Sequence, residues 1–213
     1  GGGITWEANN GVALIRDTRI ARNTAIGLGG GLSAFRGSLI VLRTVVEENH
    51  ADGAGGGIAS GAALALADSR VTGNTATHGG GVHLWHGHTI VTNTTISGNT
   101  SVESGGGVHV WLTEADIIRS TISRNRAGTT GGGIHGEGDV SLTNSTVSGN
   151  SAAHGGGIWQ GAHALLRHST VTANVAAGPP DASGGGIHVS VGREAMLSNV
   201  VLSGNLASSG PDC

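Results

Sequence analysis

Residues 131–154 read GGGIHGEGDVSLTNSTVSGNSAAH, and this stretch decides the fold. A glycine triplet is followed at once by an aliphatic residue, Ile134; Leu142 and Val147 come next, and Asn150 closes the pattern. Across Val140, Ser141 and Leu142 apolar and polar side chains alternate, as they do along a strand, and no apolar stripe recurs at the period a helix needs. Gly and Asn punctuate the segments, which marks turns between short strands.

The pattern recurs along the whole chain of 213 residues. The triplet and its aliphatic follower open at positions 1, 29, 55, 79, 105, 131, 155 and 184, marking eight coils, numbered here from the first. Aligned on the triplet, the coils give three aliphatic columns. The first is Ile4, Leu32, Ile58, Val82, Val108, Ile134, Ile158 and Ile187. The second is Ile15, Val41, Leu66, Val91, Ile117, Leu142, Leu166 and Leu197; the third is Ile20, Val46, Val71, Ile96, Ile122, Val147, Val171 and Leu202. A unit this small cannot bury its apolar face alone, so successive units must stack. The expected fold is all-β: a parallel β-helix of eight coils with about three short strands each, a single domain over 1–213, each strand pairing with its counterpart one coil on. At ~4.8 Å per strand such a rod is roughly 38 Å long. Unit length varies between the first two columns and after the Asn, so loops are expected there, the longest around Pro179 and Pro180.

Asn23, Asn49, Asn74, Asn99, Asn125, Asn150, Asn174 and Asn205 form a column of their own. We read it as a structural ladder, because Asn tolerates left-handed backbone at a turn and a stacked amide can donate to a carbonyl one coil away. The triplets read as corners where positive φ or close approach of coils requires Gly. A phosphate-binding loop is the alternative, but GGGI lacks the Lys and the following helix of such loops.

Composition narrows the function. All 11 basic residues are Arg, they form no run, and the formal net charge is -3, which argues against nucleic acid and against a polybasic membrane contact. No window approaches the ~20 apolar residues of a spanning helix, so no direct membrane insertion is expected of this segment. The single cysteine, Cys213, cannot close an intrachain disulfide.

Units such as residues 131–154 resemble the glycine-rich repeats of right-handed parallel β-helix proteins of the pectin-lyase-like superfamily, above all the polymorphic outer-membrane-protein type and surface proteins with a choice-of-anchor tail. The resemblance spans all eight coils and implies a right-handed winding, in keeping with the general hand of parallel connections. It also implies a secreted or cell-surface setting. It does not imply one activity, since such scaffolds serve adhesins and polysaccharide-cleaving enzymes alike.

An enzyme on this scaffold needs clustered carboxylates. Glu7 and Glu137 stand five coils apart, and Glu114 and Asp116 with Arg119, or Glu137 with Asp139, read as a charged loop edge. We therefore expect no catalytic residues, no cofactor and no metal, the last because the histidines lack carboxylate or Cys support. The patterned surface lies one and three residues beyond the first aliphatic column, where alternation points side chains outward. His83, His109, His135 and Trp159 fall one beyond; Trp85 and Trp111 fall three beyond, with Trp85 expected to lie over Trp111. This outward His/Trp stripe is the expected contact surface. Two uses suit it: a non-enzymatic adhesin stalk or fibre-forming subunit that also self-associates through open coil ends, or a domain that binds or cleaves surface polysaccharide.

Overall fold

The computed structural model describes residues 1–178 and 182–210, so Pro179, Pro180 and Cys213 lie outside the described residues. It is a parallel β-solenoid with no helix among those residues, and none therefore long and apolar enough to cross a membrane. The pairing follows the columns: Val82 sits between Ile58 and Val108, Val91 between Leu66 and Ile117, and Ile96 between Val71 and Ile122. Away from the terminal coils all three columns are buried and meet in one core. Each such side chain contributes about 1.5–3 kcal/mol relative to exposure.

Two details differ from the sequence expectation. Coils three to seven carry four short strands rather than three, because the residues just after the Asn also pair, as in Thr75–His78 with Thr100–Ser104. The winding makes about seven full turns rather than eight: the Arg19–Ala21 to Val201–Ser203 sheet has eight strands, but the sheet after the Asn has seven, ending at Val175–Ala176. Past Asn205 only isolated bridges continue that face, such as Val175 with Leu206. In coils one and two the first two strands fuse into Ile4–Arg16 and Leu32–Leu42, with register shifts between Trp6 and Val12 that absorb the longer first unit.

The Asn column sits inside the wall. Asn99 Nδ2 donates to Asn125 Oδ1 at 3.0 Å and to the Val71 carbonyl at 3.1 Å, and the Asn99 backbone N–H donates to the same Asn125 oxygen at 2.9 Å. This arrangement repeats from Asn49 to Asn174. The left-handed residue is not the Asn but the one before it: Arg22, Glu48, Gly73, Gly98, Arg124, Gly149, Ala173 and Gly204 all have positive φ, and no ladder Asn does. Asn is thus chosen for its amide, not its backbone.

A second polar ladder went unread in the sequence. Thr44, Ser69, Thr94, Ser120, Ser145 and Ser169 each donate a hydroxyl hydrogen to the carbonyl two residues back and, from Ser69 on, accept the backbone N–H one coil earlier.

The triplet shows both uses of Gly. In coil four Gly79 has φ 58°, while a Cβ on Gly81 would stand 2.6 Å from the Gly107 carbonyl oxygen and 3.0 Å from Asn99 Nδ2. The triplet thereby lets the wall after the Asn fold close beside the first strand of the next coil.

Candidate functional site: a histidine-floored groove

Parallel register stacks His83 on His109 and His135, then on Trp159 and His188. The column faces away from the aliphatic core, but the outward stripe of the sequence reading is corrected: His83, His109 and His135 are each only 5% exposed. The tight glycine corner brings a second wall up beside them, built from His78, Ser104 and Thr130; His78 pairs with Ser104 between strands, and Ser104 with Thr130 in an isolated bridge. His78 Nδ1 lies 2.9 Å from Ser104 Oγ, and its ring centroid lies 5.4 Å from that of His109. The imidazoles are therefore a floor, not a rim.

The opposite wall holds the tryptophans. Trp111 is 47% exposed, with its ring 6.3 Å from His83. Trp85 is half-buried and does not lie over Trp111; it covers Gly61, stacks at 5.6 Å on His83 and meets Phe35 edge-on at 5.8 Å. The small column position at Gly61 provides the space into which the indole leans. Trp159 continues the histidine column, stacked on His135 at 4.4 Å and 6° and on His188 at 6.2 Å and 9°. Between the walls runs a groove of about 520 Å³, lined by His78, His83, Ser104, His109, Trp111 and Glu137 among others.

Burial dominates the electrostatics of the floor. It pushes His83 down to about 4, helped by the neighbouring His78, and His109 down to about 2, helped by His83 and His135. His135 is lowered by burial too, partly opposed by its bond to Glu137. These rings are therefore neutral at pH 7, each with one N–H and one lone pair. His83 Nδ1 meets His109 Nδ1 at 3.0 Å, and His135 Nδ1 meets Thr130 Oγ1 at 2.9 Å. His135 Nε2 faces Glu137 Oε1 at 3.4 Å, whereas His109 Nε2 is buried without a hydrogen-bond partner.

The sequence reading missed Glu137 as part of this site, although it follows His135 by two residues and so shares its side of the strand. The charged loop edge is a separate surface: Asp116 bonds His88 at 2.9 Å and Asp139 bonds His163 at 3.2 Å, so histidines accompany these acids.

The chain belongs to the right-handed β-helix family: the model described as a right handed beta helix region matches residues 64–213. No curated protein and no solved structure matches it.

Proposed function

We propose that this chain is a non-catalytic, surface-displayed rod of the pectin-lyase-like type that holds an uncharged polysaccharide strand in the His/Trp groove. The observation that carries this reading is the exposed Trp111 indole on the wall of an open groove whose other wall offers Ser104 and His78. An aromatic face beside polar side chains suits a sugar ring, which is apolar on its faces and hydroxylated at its edge. Among the described residues no Arg lines the groove and Glu137 does, which favours a neutral glycan over an acidic one. Among the described residues Glu137 is also the only carboxylate lining it, which favours binding over cleavage by a carboxylate pair.

The test is affinity electrophoresis and calorimetry against neutral and acidic polysaccharides with wild type, Trp111→Ala and Trp85→Ala. Trp111→Ala should weaken neutral-glycan binding at least about tenfold, the effect of ~1.4 kcal/mol, with circular dichroism unchanged. Equal binding by wild type and both variants would remove the groove from the function.

End-to-end self-association is the second reading, supported by exposed apolar residues on the terminal coils, Val12 and Leu14 at one end and Met196 and Leu206 at the other. A further coil of the same chain would cover these residues equally well. Sedimentation of the full chain separates this reading from the first, since Trp111→Ala should not alter it.

A further inference from the structure

We propose that His109, His135 and Glu137 hold a divalent transition-metal ion at the floor of the groove. One donor atom from each residue lies within 4.8 Å of the other two. The donor set, two imidazoles and one carboxylate, is one that zinc and ferrous iron accept, leaving further coordination positions open.

The hydrogen bonds around the set favour this assignment. Metal-bound histidines hold their other ring nitrogen in a hydrogen bond, which fixes the tautomer and aims the lone pair. Both rings meet that condition: His135 Nδ1 is held by Thr130 Oγ1 at 2.9 Å and His109 Nδ1 by His83 Nδ1 at 3.0 Å. His109 Nε2 is left buried and without a hydrogen-bond partner. Were it the protonated nitrogen, a buried N–H would lack an acceptor; with the proton on Nδ1, donated to His83, Nε2 keeps a lone pair for a ligand instead.

His135 Nε2 and Glu137 Oε1 stand 3.4 Å apart, longer than the about 2.7–2.9 Å of a strong charge-assisted bond. In the tautomer with Nδ1–H donated to Thr130, Nε2 and Oε1 are two electron-rich atoms facing each other, and the unpartnered His109 Nε2 offers a third lone pair. A cation satisfies all three. Bonds of about 2.0–2.2 Å require the donors to draw together, and the Glu137 side chain, 43% exposed, is free to swing inward. The sequence reading excluded a metal for want of a carboxylate; the fold supplies one. This site stands apart from the glycan reading, since the three donors converge whatever occupies the groove.

The experiment is calorimetric titration of the chelator-stripped full chain with Zn²⁺ at neutral pH, and of the same chain with Co²⁺ followed by visible absorption. The expected result is one saturable ion per chain, with Co²⁺ giving ligand-field bands of an imidazole and carboxylate site. Glu137→Gln and His135→Gln should weaken Zn²⁺ at least about tenfold, and Thr130→Val, which removes only the orienting bond, by about tenfold. Circular dichroism checks that each variant folds; Glu137→Gln, altering an exposed side chain, tests the site even if the buried variants do not. His50→Asn, at an exposed histidine bonded to Asp52, should bind like wild type. Absence of saturable binding, or binding that survives Glu137→Gln and is lost in His50→Asn, would overturn the assignment.

Discussion

Two polar ladders rise through this rod, both stacked in parallel register and both buried, yet they end in opposite states. The Asn ladder uses the same residue in all eight coils, and each interior amide hydrogen finds an oxygen: one on the next Asn, one on a carbonyl a coil back. The imidazole ladder occupies coils four to six, between Ala59 and Trp159, and leaves His109 Nε2 without a hydrogen-bond partner. A primary amide has donors and acceptors enough to pair with copies of itself indefinitely. A neutral imidazole has one of each; once His83 and His109 spend their Nδ1 atoms on each other, nothing carries the chain of bonds to His135. The amide ladder is complete as built, whereas the imidazole ladder remains open to something from outside.

The largest test of this contrast by a single substitution is Asn125→Ala. It strips the shared acceptor from the Asn99 N–H and Nδ2 and the donor from the Ile96 carbonyl, and should cost about 3 kcal/mol or more in urea unfolding. A loss near zero would mean that water replaces the rung.

Acid probes the other ladder, through two rings at once. The unfolded chain takes up histidine protons near the ordinary value of 6.5, while burial holds His83 at about 4 and His109 at about 2 in the fold. Stability contributed by neutral burial is full above pH 6.5 and falls as pH drops, by up to about 1.4 kcal/mol per unit for each ring, until the folded rings themselves protonate. Unfolding curves on chelator-stripped protein between pH 7 and pH 4 should show that slope, and His109→Gln should flatten it. A flat wild-type profile would place the rings in water.

Ser120→Ala, which removes one hydroxyl rung, should cost about 1 kcal/mol, less than the Asn because a single N–H, on Thr94, loses its acceptor. Smallest is Gly27→Ala: nothing lies within 4 Å of the added carbon, so the change should be neutral or stabilise by up to about 1 kcal/mol. Gly81→Ala, pressed against Asn99, should by contrast lower the melting temperature clearly.

The scaffold was legible because Ile134, Leu142, Val147 and Asn150 recur with their own kind in every coil, and a parallel stack turns such recurrence into contact. The groove was less legible for a physical reason. Alternation places His109 opposite the core, but burial there depends on the Ser104 and Thr130 wall, which the glycine corner folds back over it. Strand periodicity carries no record of that fold-back. Trp85 was misplaced for a similar reason, since its ring follows the space at Gly61 rather than the register with Trp111. The hydroxyl column escaped notice because Ser and Thr are mixed in it and either supplies the oxygen required.

The constant step of the coil also governs how the rod can assemble in time. Partners along the Asn ladder are 24 to 31 residues apart in sequence, whichever rung is chosen. The entropy of closing such loops differs by only about 0.2 kcal/mol across that range. No coil waits for a distant segment of chain, so once two neighbours have formed, each further turn meets nearly the same barrier as the last. Growth of the rod is then a one-dimensional propagation, started at any coil and indifferent to total length.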